Sequence, residues 1–160
     1  MRVRHLISEI KSPNGDSGDW STHDLPPRWC SIYERSRPTR AGWQWRSLRA
    51  RSNGRNYLAV AQCNPRRDNW KSVLILETEA GPSVVARFEY HGSHPGNHVH
   101  SECATSGIEI GAVGLDNLTR FPSVKSYHRR TEAFTPSSFW RATRKFFRIK
   151  TLSGEQDELF

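Results

Sequence analysis

The chain has little sulfur to work with. Cys30, Cys63 and Cys103 are odd in number and far apart, with no C-x-x-C pair among its 160 residues. That spacing excludes a disulfide-stapled scaffold and fits buried thiols in a reducing compartment. One methionine is present, so the core has to be built on the six Trp, four Tyr and seven Phe together with aliphatic residues. No apolar run reaches the roughly 18 residues that a membrane-spanning helix needs, so no membrane partner is expected. MRVRHLISEIK is too polar to be a secretory h-region, and the expected address is cytoplasmic. There is no G-x-x-x-x-G-K-[ST] loop to cradle phosphate and no G-x-S-x-G elbow, which excludes P-loop and α/β-hydrolase chemistry. Zinc-finger and helix-turn-helix spacings are missing too.

Positive charge is what the chain has in excess. The net charge is +8, and the 24 basic residues divide into 19 Arg and five Lys. Arginine presents a planar fork of donors that grips phosphate at two points and stacks on bases, so the bias points to RNA or single-stranded nucleic acid as partner. Codon bias enriches arginine as well, but here the arginines also cluster, which favours the phosphate reading.

The length suits one domain over 1–160, and no internal repeat divides it. Val3, Leu6, Ile7 and Ile10 recur at helical spacing and predict a short N-terminal helix. Residues 12–28, SPNGDSGDWSTHDLPPR, are rich in turn formers and predict an irregular loop or arm. WCSIYERS reads as an edge strand. From Trp43 the pattern becomes β: WQWRSLRARS and RNYLAVAQC flank Asn53-Gly54, whose residues accept the positive φ that a tight hairpin requires. KSVLILETE, SVVARFEYH and NHVHSEC continue the series. Residues 104–134 give no clear pattern. Thr135 and Pro136 then open a helix to about Ile149, and 153–160 form a frayed tail. The predicted class is α+β: an antiparallel meander of about five strands with a C-terminal amphipathic helix and a short N-terminal helix.

RFEYHGSHPGNHVHSEC, residues 87–103, holds four of the seven histidines: His91, His94, His98 and His100. Strand alternation puts Val84, Ala86, Phe88 and Tyr90 on one face and Val85, Arg87, Glu89 and His91 on the other. On the return strand His98, His100 and Glu102 alternate with Val99, Ser101 and Cys103. A Pro95-Gly96 turn sets His91 opposite His100, and a wider loop sets it opposite His98; both keep the ionisable residues together. An imidazole pair with a carboxylate and a guanidinium suits metal-independent cleavage of RNA. His91, His100 and Glu89 would move protons, His98 would serve as an alternate acid or base, and Arg87 would hold the phosphate. In chemistry alone, this set resembles that of small microbial ribonucleases; a toxin-like role would suit a stand-alone basic nuclease of this size, and a protein inhibitor would then be a partner. Two other readings stand beside it: a polar turn with no chemistry, and a zinc site made by His98, His100, His91 and Glu102.

Basic residues gather in two further places. Along the C-terminal helix, Arg141, Arg144, Lys145 and Arg148 recur at i, i+3, i+4 and i+7, opposite an arc of Phe139, Trp140, Thr143, Phe146 and Phe147. Arg46, Arg49, Arg51 and Arg55 surround the first hairpin, with Trp43 and Trp45 interleaved, a pattern that suits stacked bases and paired phosphates. Arg35, Arg37 and Arg40 precede them, and His128 with Arg129 and Arg130 forms a weaker cluster. The expected activity is nucleic-acid binding, with endoribonuclease cleavage at the His-rich hairpin. The alternative is a non-enzymatic binding or assembly module.

Overall fold

The computed structural model of the protein describes residues 3–16, 18–24, 41–79, 81–91, 98–100 and 133–151. Six strands pair in chain order, each antiparallel to the next: β1 (Ser12–Asp16), β2 (Gln44–Ser52), β3 (Arg55–Asn64), β4 (Asn69–Thr78), β5 (Gly81–His91) and β6 (His98–His100). Helix α1 (Val3–Ser8) precedes them and helix α2 (Pro136–Phe146) follows, so the class is α+β. Among the described residues no helix is long and apolar enough to cross a membrane.

The first hairpin shows how short-range chemistry sets the register. β2 and β3 pair without interruption from Gln44 opposite Cys63 to Ser52 opposite Arg55, leaving Asn53 and Gly54 as the turn. Both take positive φ, 48° and 75°, which matches the right-handed twist of the flanking strands. A Cβ added at Gly54 would meet nothing within 4 Å, so the only obstacle to a side chain there is the left-handed backbone. Gly54→Ala should therefore cost about 1 kcal/mol, seen as a lower urea midpoint at unchanged m-value.

Both faces of the central sheet are buried. On the first face Leu48, Tyr57, Ala61, Trp70, Leu74 and Phe88 pack against Leu6 and Ile7 of α1 and against Phe139, Trp140 and Phe146 of α2. Phe88 stacks on Phe139 and Phe146 at 5.9 and 5.0 Å between ring centres, and Trp70 lies 5.4 Å from Phe139. On the second face Trp45, Leu58, Val60, Val73 and Ile75 form a separate apolar cluster. Two-sided burial explains why YLAVA in β3 and VLIL in β4 are continuous apolar runs rather than alternating ones. At the start of α2 the Thr135 hydroxyl accepts from the Ser138 N–H, and the Ser138 hydroxyl accepts from the Thr135 N–H. These reciprocal bonds satisfy donors that a helix start leaves open.

Three features differ from the sequence expectation. Ser12–Asp16, expected to be irregular, forms β1 against β2, and Ser21 makes an isolated bridge to Trp45. Pro13 and Gly15 are tolerated because β1 is the first strand in the sheet order and its pairing shifts register between them. Ile10, expected on the buried stripe, is 56% exposed because α1 ends at Ser8. In β5 the register shifts opposite Leu74 and Ile75, so Val84 packs with the second-face cluster and Val85 with the first, reversing their expected sides. WCSIYERS and residues 104–132 lie outside the described residues, as does the 153–160 tail.

Candidate functional site

The His-rich hairpin is positioned by β4 and β5. Arg87 lies opposite Val73 and Glu89 opposite Lys71 on β4; on the other side Arg87 lies opposite His100 and Glu89 opposite His98. Both expected registers are corrected, since His98 pairs with Glu89 rather than His91, a slip of two residues from the wider-loop register and of four from the tight-turn one. A slip by an even number preserves parity, so positions 87, 89, 98 and 100 still share one side of the sheet. That side is the second face, because Val73 belongs to its cluster. Arg87 and Glu89 are half-buried where the apolar cluster gives way to charged groups. His91 lies opposite Asn69, one row further on. His94, Glu102 and Cys103 fall outside the described residues, as do Arg35, Arg37, Arg40, His128, Arg129 and Arg130. Among the described residues no three His, Cys, Asp or Glu gather closely enough to hold a metal ion.

The arginines of β2 are not brought onto one surface. Arg46 lies opposite Ala61 on the first face, its guanidinium 4.8 Å from the centre of the Trp140 ring on α2. Arg49 and Arg51 belong to the second face; Arg49 pairs with Glu77 at 3.4 Å, and Arg51 Nε donates to Asn56 Oδ1 at 2.8 Å. Strand alternation separates them, so Arg46 groups with the cations of α2 instead. There Arg141 and Lys145 are exposed, while Arg144 and Arg148 are half-buried. Trp45 is unavailable for base stacking: it is buried, and its indole N–H donates to the His23 carbonyl at 2.8 Å. Trp43 keeps a half-buried place just before β2.

At the opposite end of the sheet is an ionic hub that the spacing rules do not reveal. Glu9 is buried, and its carboxylate accepts from the Tyr57 hydroxyl, from Asn53 Nδ2 at 2.9 Å and from Arg55 Nη1 at 3.2 Å, with His5 Nε2 at 3.8 Å. Lys11 is fully buried, and its ammonium donates to the carbonyls of Ile7, Glu9 and Phe147 at 3.2, 2.9 and 3.0 Å. Its Nζ also lies 4.9 Å from the centre of the Tyr57 ring. Three ammonium donors thus meet three carbonyls near the ends of α1 and α2. Burial pushes the Lys11 ammonium down to about 7, with Glu9 opposing the shift and Arg148 adding to it. The Tyr57 phenol is pushed up, first by burial and then by its bond to Glu9. The Cys63 thiol is pushed up to about 12 by burial, which leaves it an inert core residue. With its donors saturated and no exposed surface, the Lys11 group works as a fastener between chain segments. The available sequence signal was Lys11 itself, one helical turn after Ile7 on an otherwise apolar stripe.

Compared with protein-family models, with curated proteins and with solved structures, the chain matches none.

Proposed function

We propose that the protein binds RNA or single-stranded nucleic acid through its arginine-rich surface. The supporting observation is α2 and its flank. The helix carries Arg141, Arg144 and Lys145 and no acidic residue, and Arg46 reaches its Trp140 from the sheet. Arg141 and Lys145, both exposed and one turn apart, repel one another, and an anionic backbone alongside would relieve that repulsion. Fluorescence anisotropy with a labelled 20-residue single-stranded RNA tests the reading. Affinity should fall steeply between 50 and 200 mM salt, and Arg141→Ala with Lys145→Ala should flatten log Kd against log salt by about 1 to 1.5, or roughly 0.7 per phosphate released. Binding too weak to measure at 50 mM salt would overturn the reading.

The β5–β6 register favours a second step, cleavage of the bound strand. A base among Glu89, His98 and His100 takes the 2′-hydroxyl proton, O2′ bonds to phosphorus, and the bond to O5′ breaks as a second group protonates it. Arg87 steadies the negative charge growing on the phosphate oxygens.

A further inference from the structure

The turn between β3 and β4 carries two exposed cations, Arg66 and Arg67, in a short 3-10 turn spanning Pro65–Arg67. Its build is tight. The Asn64 side chain accepts from the Arg67 N–H at 3.2 Å, Pro65 fixes the first φ, and the Asp68 N–H donates to the Pro65 carbonyl at 3.2 Å. Gly42 comes close from the segment before β2: a Cβ there would stand 3.3 Å from Asn64 Nδ2. Asp68, next in sequence, accepts from the Trp70 indole N–H at 2.8 Å through Oδ1. The turn therefore offers two exposed guanidinium groups on a hydrogen-bonded backbone.

Its place in the sheet matters as much as its charge. Asn64 lies opposite Asn69, and Asn69 lies opposite His91, so the turn closes the sheet end at which β5 enters the His-rich connection. Lys71 and Glu89 form a row two residues further in, and Trp43 stands at the same end, before β2. Cations, a partly exposed tryptophan and ionisable strand positions thus share one end of the sheet.

Resting on the nucleic-acid reading above, we infer that Arg66 and Arg67 hold the backbone phosphates of an unpaired strand at this end, and that Trp43 stacks one of its bases. The ligand is single-stranded because stacking on a side chain needs an unpaired base, which a duplex does not offer. The turn backbone is held by its own hydrogen bonds, so binding orders the two arginine side chains but not the loop that carries them.

The test uses the full chain, with anisotropy measured on a 20-residue single-stranded RNA and on the same sequence as a duplex. The Arg66→Ala, Arg67→Ala double variant should bind the single strand about tenfold more weakly at 100 mM salt, with a salt slope lower by about 1 to 1.5. Trp43→Ala should weaken the single strand by about five- to a hundredfold, the range for one stacked base, and leave the duplex unchanged. Lys150→Ala, which removes one exposed charge elsewhere, sets the effect of net charge alone. Unchanged urea midpoints for the Arg66/Arg67 variant would confirm that its fold is intact, as the exposure of both residues predicts. A double variant that binds like wild type, or no worse than Lys150→Ala, overturns the inference while leaving the binding reading standing. A wild-type chain that binds neither RNA overturns both.

Discussion

Lys11→Met is expected to destabilise the protein by about 2 kcal/mol at pH 7, and by about 4 at pH 9. The substitution keeps the length and apolar body of the side chain but removes the donors that reach Ile7, Glu9 and Phe147, leaving three carbonyls without that partner. Those carbonyls are what hold the exit of α2 against the exit of α1. The backbone reinforces the same junction, with Lys11 N–H donating to Arg148 at 2.9 Å and Lys150 N–H donating to Lys11 at 2.9 Å. The pH dependence follows from burial, which lowers the folded ammonium from 10.5 to about 7. Between those values the folded chain carries a neutral amine while the unfolded chain keeps its proton, so unfolding takes a proton up. Stability from this group therefore rises with pH, by at most about 1.4 kcal/mol per unit, and the slope fades as pH falls through 7. Cys63 acts in the opposite sense. Its thiol is raised from 9.0 to about 12, so above pH 9 the unfolded thiol ionises first and stability falls. Among the described residues, Lys11 carries the displaced titration that spans pH 7 to 9. Urea midpoints for both proteins across that window check the prediction: the wild type should gain on the variant, and parallel curves would refute it.

How much of this was legible in the sequence depends on the range over which each cause acts. Asn53-Gly54 could be read because a two-residue turn is dictated by the two residues that make it. The runs in β3 and β4 could be read as strands from their β-branched and aliphatic residues. β1 could not, because Ser12, Pro13, Asn14 and Gly15 carry turn propensity, and their strand geometry comes from pairing with β2. The side exchange of Val84 and Val85 was equally hidden, since a bulge depends on how two strands meet. At the His-rich hairpin, parity could be foreseen and register could not. Parity depends only on alternation along each strand, whereas register depends on the connection between them. The hub of Glu9 and Lys11 was the least legible feature. Its partners Asn53, Arg55, Tyr57 and Phe147 are 44, 46, 48 and 136 residues away, and only the folded chain brings them together.

His100→Ala and Arg87→Ala should each slow RNA cleavage by about 10²- to 10⁴-fold, the range for a positioned proton-transfer group or a charge-stabilising donor. Binding should be nearly unchanged, because the phosphate contacts proposed for α2 and for the β3–β4 turn are untouched. The two losses should not add in full, since both groups serve one transition state. Arg87→Lys separates a positioned fork from bare charge: a lysine keeps the cation but loses the bidentate geometry, so activity should recover only in part. His98→Ala identifies the second proton carrier, being silent if Glu89 fills that role and as costly as His100→Ala if it does not. Replacing the 2′-hydroxyl at the scissile position by hydrogen should abolish cleavage, because O2′ is the attacking atom, and the expected product ends are a 2′,3′-cyclic phosphate and a 5′-hydroxyl. The reaction should proceed in EDTA. If EDTA stops it and zinc restores it, the histidines act as ligands, and His91, His98, His100 and Glu102 become the set to test one by one. If RNA is bound but never cut under either condition, the β5–β6 edge has no catalytic role and the protein is a binding module. What decides among these outcomes is whether Arg87, held half-buried beside Val73 at the border of the apolar cluster, faces a phosphate whose charge is changing or one that is merely bound.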